Sequence, residues 1–121
     1  MIKNEEILKE FNKIIQSLKN QGIVSESIGI ADFPIPMKIE SINKHAAQRM
    51  KVRGISEKEA QSYIDNAMIM FNQGNNTKRL YISNDGNSAI LIEDGRLISA
   101  YSSQDFDDGI KQIIKEVKKY D

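Results

Sequence analysis

Apolar residues in the first segment recur at three- and four-residue spacing: Ile7, Leu8, Phe11, Ile14, Ile15 and Leu18, with Lys, Glu and Asn between them. That spacing puts them on one stripe and predicts an amphipathic helix. Asn4 suits its N-cap, and Gly22 its end. The stripe needs a partner, either the rest of this chain or a region preceding it. Over residues 23–41 the periodicity disappears. Gly29, Pro34 and Pro36 punctuate the stretch, and each proline disfavours helix at the residue before it. It reads as a connector, with room for a short strand at Met37 to Ile39.

A second helix is expected from Asn43 through His45 and Arg49 to Arg53, stopped by Gly54. Ser56 with Glu59 three residues on makes a capping box for a third. The buried face of that helix reads Ala60, Tyr63, Ile64, Ala67, Met68 and Phe71, and Gln73-Gly74-Asn75-Asn76 ends it. From Lys78 the period becomes two. Leu80 and Ile82 alternate with Tyr81 and Ser83, and Asn84-Asp85-Gly86-Asn87 turns the chain. Ala89 to Ile92 is nearly continuous apolar sequence, as in a strand buried on both faces. Asp94-Gly95 is a second tight turn, and Arg96 to Tyr101 completes a meander. A last helix, capped by Ser103 or Asp105, carries Phe106, Ile110, Ile113, Ile114 and Val117. The pattern predicts one α+β domain over residues 1–121, with helices on one side of a three- to four-stranded antiparallel meander. Residues 1–22 form its amphipathic helix and 42–121 its core.

Composition narrows the class. The chain has 121 residues, 40% hydrophobic, with no cysteine and one histidine. Disulfides and thiolate metal sites are therefore excluded, and a typical zinc site is not expected. No cofactor is called for. No apolar run is long enough to span a membrane and no leader pattern opens the chain, so we expect a cytoplasmic site of action, in the producing cell or in a target cell. Lys+Arg and Asp+Glu balance at 17 each, so any nucleic-acid role must come from local segregation of charge. Between Lys44 and Arg53 there are four basic residues and no acid, whereas acids gather at Glu93-Asp94 and at Asp105, Asp107 and Asp108.

Helical geometry sharpens the basic segment. With His45 at 0°, Arg49 falls near ~40° and Arg53 near ~80°, while Ile42, Ala46 and Met50 fall at about 60°, 100° and 140°. Lys44, Gln48 and Lys51 point the other way. His45, Arg49 and Arg53 thus border the core-facing stripe, where a cleft beside a sheet would need them. The alternative is structural: a border arginine often crosses the core edge or pairs with a carboxylate such as Asp105.

The strands supply complementary groups. Lys78, Arg79 and Tyr81 begin the first strand of the meander, and Arg96, Ser99, Tyr101 and Ser102 lie on the third. Ser99 and Tyr101 share a face. Should that face meet the second helix, one imidazole, several guanidiniums and several hydroxyls converge, which is a phosphate-handling set. Guanidiniums fork onto phosphate oxygens, imidazole moves a proton near neutral pH, and hydroxyls donate to non-bridging oxygens. RNA carries its own nucleophile in the 2′-OH, so no metal is needed.

The series Lys44-His45-Ala46-x-x-Arg49-x-x-x-Arg53-Gly54-Ile55, Lys78-Arg79-x-Tyr81-x-Ser83 and Asp94-Gly95-x-x-Ile98-Ser99-Ala100-Tyr101 resembles the barnase–EndoU–colicin–RelE-type nuclease superfamily. The likeness is greatest to the branch found as C-terminal domains of phage head proteins and bacterial polymorphic toxins. It covers about residues 40 to 118 and leaves the first helix outside. The resemblance implies a metal-independent ribonuclease that leaves a 2′,3′-cyclic phosphate, and a toxin of this kind is met by a cognate immunity or inhibitor protein. His45, Arg49, Ser99 and Tyr101 would be catalytic, and Arg53, Lys78, Arg79, Tyr81 and Ser102 would hold RNA. Where the family often has Thr before Ala-Tyr, this chain has Ser99. With one histidine, the second proton-transfer group would be Tyr81, Tyr101 or a carboxylate. A non-catalytic interaction module of the same fold, or RNA binding without cleavage, are the alternatives.

Overall fold

The computed structural model describes residues 2–75 and 77–120. Asn76, expected in the break before the meander, lies outside them. In chain order the elements are α1 (Glu5–Asn20), β1 (Ile30–Asp32), β2 (Ser41–Ile42), α2 (Lys44–Arg53), α3 (Glu57–Asp65), β3 (Ile69–Gln73), β4 (Lys78–Ile82), β5 (Ser88–Glu93), β6 (Arg96–Ser102) and α4 (Asp108–Lys118), with short 3-10 turns at Glu26–Ile28 and Ser103–Asp105. The fold is α+β. Its sheet has six strands in the order β1-β3-β4-β5-β6-β2, all antiparallel neighbours except β2, which runs parallel to β6.

Two expectations need correction. The sheet exceeds three or four strands, because the connector over 23–41 contributes β1 at one edge and leads into β2 at the other. Met37–Ile39, expected as a short strand, has no regular structure, and the strand of this stretch is β2 at Ser41–Ile42. Helices also pack on both faces. Ile69, Phe71, Leu80, Ile82 and Ala89 join Phe11 and Ile15 of α1 and Ile113, Ile114 and Val117 of α4 in one cluster. Met70, Tyr81, Ile90, Ile92, Leu97 and Ala100, which point the opposite way along the same strands, join Ala46 and Met50 of α2 and Ala60 and Ile64 of α3 in another. The stripe of α1 thus finds its partner within this chain, and each fully buried Ile or Phe contributes about 1.5–3 kcal/mol.

A third correction concerns α3, which ends at Asp65 with Asn66 as its cap, so that Met68 and Phe71 leave the helix. Ile69 to Phe71 form a strand buried on both faces, and an apolar run of that kind fits strand or helix by spacing alone. The helix signals elsewhere act as read. Asn4 accepts from the Ile7 amide at 2.9 Å, and Ser56 and Glu59 close the capping box. The last helix is capped by Asp107 rather than Ser103 or Asp105, its carboxylate accepting from the Ile110 amide. At the β5–β6 turn both Asp94 (φ 48) and Gly95 (φ 83) take left-handed backbone, the conformation a two-residue hairpin requires.

Candidate functional site

The parallel pairing of β2 with β6 positions α2. The chain leaves Ile42, the Asn43 amide donates to the Leu97 carbonyl at 2.9 Å, and the Asn43 side chain caps the helix through the His45 amide at 2.9 Å. The first turn of α2 is thereby fixed against the outer strands. Ala46 and Met50 are buried, so His45 and Arg49 stand at the border as the helical spacing predicts.

Strand β6 carries a bulge beside this helix. Leu91 pairs with Ser99 and Ile92 with Leu97, leaving Ile98 as the extra residue. A bulge bends a strand and re-aims its side chains. Ser99 and Tyr101 keep the face of Leu91 and, with Asn43, His45, Ala46, Arg49 and Ile98, line an open groove of about 450 Å³. No residue of α1 or α4 lines it.

Among the described residues, the side chains of His45 and Arg49 and the hydroxyls of Ser99 and Tyr101 make no hydrogen bond or ion pair within the protein. His45 and Arg49 are exposed, while Ser99 is buried apart from its contact with the groove. An imidazole, a guanidinium and two hydroxyls thus share one concavity with their bonding capacity unspent. Asn43 and Leu91 also line it and were not foreseen. Asn43 carries a capping signal in the sequence, but the contribution of Leu91 depends on strand register.

Arg53 has a different role. Its Nε lies 2.9 Å from Asp105 Oδ2, its Nη1 donates to the Ala100 carbonyl, and its guanidinium sits 5.9 Å from the centroid of the Tyr101 ring. Asp105 Oδ2 also accepts from the Ser102 amide and hydroxyl, each at 2.9 Å. The bond from the Ser102 amide holds the Asp105 carboxyl below its ordinary value; desolvation opposes it, and the Ser102 hydroxyl and then the Arg53 charge add to the lowering. Arg53 and Ser102 are therefore engaged within the protein through Asp105 and do not line the groove, and of the two it is Arg53 that packs against the Tyr101 ring.

The remaining basic candidates are not brought to it. Lys78 stands exposed at the end of β4, opposite Glu93. Arg79 and Tyr81 lie on the α2–α3 face of the sheet, Tyr81 fully buried with its hydroxyl donating to the Ile35 carbonyl at 2.7 Å. Burial raises the Tyr81 phenol above its ordinary value, with the Arg79 charge opposing.

Among the described residues no three His, Asp or Glu side chains are grouped as metal ligands, and no helix is long and apolar enough to cross a membrane. Fold and groove define an α+β protein with a cationic, hydroxyl-lined cleft at the margin of its sheet. No family model matches the chain, and neither the curated proteins nor the solved structures provide a match.

Proposed function

We propose that the groove binds RNA and cleaves it without a metal ion, in the manner implied by the resemblance to the barnase–EndoU–colicin–RelE-type nucleases. One observation carries this reading: His45, Arg49, Ser99 and Tyr101 line a single open groove with no intramolecular partner for their polar groups. Unspent donors at a concave site suit an anionic ligand, and a guanidinium beside hydroxyls suits the tetrahedral oxygens of phosphate.

In the proposed reaction Arg49 and Ser99 donate to the non-bridging phosphate oxygens and stabilise the charge that grows there. His45 takes the proton of the 2′-OH. The 2′-oxygen then bonds to phosphorus, the bond to the 5′-oxygen breaks, and the departing oxygen takes a proton from the Tyr101 hydroxyl. The products are a 2′,3′-cyclic phosphate and a free 5′-OH. Tyr101 is reprotonated and His45 deprotonated by solvent. Arg53 is a positioning residue, since it holds the ring of Tyr101 and does not line the groove.

The product chemistry tests this. An RNA oligonucleotide incubated with the protein in EDTA should yield 2′,3′-cyclic phosphate and 5′-OH ends, and a 2′-deoxy substitution at the cut position should block cleavage there. Ends bearing a 5′-phosphate, or unimpeded cutting at the deoxy position, would exclude transesterification. Binding of RNA with no product would reduce the groove to a binding site.

A further inference from the structure

The sheet edge formed by β1 is closed, while the face beside it is open. Along that edge the Asn12 side chain accepts from the Ala31 amide at 2.9 Å and donates to the Ala31 carbonyl at 3.0 Å. Lys19 Nζ donates to the Gly29 carbonyl at 2.7 Å, and Asp32 Oδ1 accepts from the Phe33 amide at 2.8 Å. The backbone groups that an added strand would use are thus already taken. A partner reaching this end of the molecule meets the face of the sheet.

On the face shared with α2 and α3, cross-strand pairing sets Ile30, Asn72 and Arg79 in one row and Asp32, Met70 and Tyr81 in the next. Met70 and Tyr81 are buried in the α2–α3 cluster, whereas Ile30 is 64% exposed. In the same row stands a charge without a partner. Among the described residues the Arg79 guanidinium makes no hydrogen bond or ion pair, and its Nε is shielded from solvent with nothing to donate to. A buried donor in that state calls for an acceptor. Asp32 carries the matching charge. Its carboxylate accepts from the Phe33 amide and, at 3.4 Å, from Asn72 Nδ2, which leaves lone pairs free. Strand spacing puts Asp32 and Arg79 about 12 Å apart at Cα, and they do not pair within the chain.

We propose that this face binds a second copy of the chain about a two-fold axis. The patch is its own complement. An axis through the midpoint of Asp32 and Arg79 sets Arg79 of each copy on Asp32 of the other, so both guanidiniums gain a carboxylate. By the register, the same rotation sets Ile30 of one copy on the position of Tyr81 in the other. There the chain crosses above the sheet, since the Ile35 carbonyl accepts from the Tyr81 hydroxyl at 2.7 Å, and Ile35 is 39% exposed. The raised Ile35 of each copy therefore meets the low edge at Ile30 of the other. Exposed apolar side chains are covered and unpaired charges are matched in one contact. Ile30, Asp32, Ile35 and Arg79 do not line the groove, so this contact is independent of the groove's chemistry.

Sedimentation equilibrium of the full chain tests this. The wild type should pass from monomer to dimer as its concentration rises. Ile30→Lys, at an exposed position, should keep the fold and raise the dissociation constant at least about tenfold, because it buries an unpaired charge at the contact. Arg79→Asp and Asp32→Arg each set like charges against one another, and each should be monomeric where the wild type is dimeric. Mixed in equal amounts, these two variants should dimerise again, since each copy then meets the opposite charge at both contacts. Circular dichroism checks the fold of every variant, and should a charge variant fail to fold, Ile30→Lys still decides. A wild type that stays monomeric up to about 1 mM, a dimer unaffected by Ile30→Lys, or folded charge variants that remain monomeric when mixed would overturn the proposal.

Discussion

Arg53 Nε lies 2.9 Å from Asp105 Oδ2, tying the last turn of α2 to the turn that follows β6. The contact separates two arginines that the sequence places on one stripe. Among the described residues the Arg49 side chain has no polar partner and lines the groove, whereas Arg53 is bonded to Asp105 and to the Ala100 carbonyl and packs over the Tyr101 ring. Arg53→Lys keeps the charge but loses the planar fork. It should lower unfolding free energy by about 1.5–3 kcal/mol, the range for bonds to charged groups, and reduce cleavage through Tyr101. Arg49→Lys should leave stability within about 0.5 kcal/mol while depressing cleavage more. Urea denaturation and cleavage rates on both variants check this, and equal stability losses would contradict it.

Stability should fall in acid for an identifiable reason. Asp105 is held below its ordinary value, first by the Ser102 amide, and Asp85 likewise, first by the Ser83 hydroxyl at 2.6 Å and then by the Asn87 amide. For a carboxylate lowered by folding, the unfolded chain binds the proton first as pH drops. Their contribution is complete above the ordinary aspartate value of about 3.9 and is lost as pH falls from there through the lower folded values. Urea midpoints measured at pH 5 and pH 3 should differ less in Asp105→Asn and Asp85→Asn than in the wild type.

Tyr81 should prove structural. Tyr81→Phe removes the bond to the Ile35 carbonyl and should cost about 1 kcal/mol, with cleavage unchanged because Tyr81 is buried and does not line the groove. Loss of cleavage in a folded Tyr81→Phe protein would contradict the site as drawn.

Gly29 should be intolerant of a side chain. It has φ +87, and a Cβ there would come 1.8 Å from the Asn72 carbonyl oxygen of β3. The close approach is part of how β1 seats on the sheet edge. Gly29→Ala should destabilise by about 2 kcal/mol or more, read as a lowered denaturation midpoint.

Much of this was legible in the residues, and the exceptions share a cause. Caps at Asn4, Asn43 and Ser56 act locally, so sequence alone placed the starts of α1, α2 and α3. The Ala67–Phe71 run could not be assigned by period, since a strand buried on both faces has no polar alternation. Strands β1 and β2 have three and two residues and exist only through their partners β3 and β6, which no local pattern reveals. At the site, the helix border and the two-residue spacing of Ser99 and Tyr101 placed four side chains correctly on their elements. A carboxylate partner for a border arginine is also legible in the sequence, and Asp105 is that partner of Arg53. What spacing could not supply was which face of the sheet Tyr81 and Arg79 occupy relative to α2, because that depends on how the helices divide between two layers.

The most direct test of the groove as an RNA-cleaving site is digestion of total RNA in EDTA by the wild type, His45→Ala and Arg49→Ala, with circular dichroism confirming that all three are folded. Both side chains are exposed and, among the described residues, make no hydrogen bond or ion pair, so the variants should keep the fold. The wild type should degrade RNA, and each variant should be at least about a hundredfold slower, the lower range for removing a proton-transfer or charge-stabilising group. Intact RNA with the wild type, or equal cleavage by all three, would contradict the account.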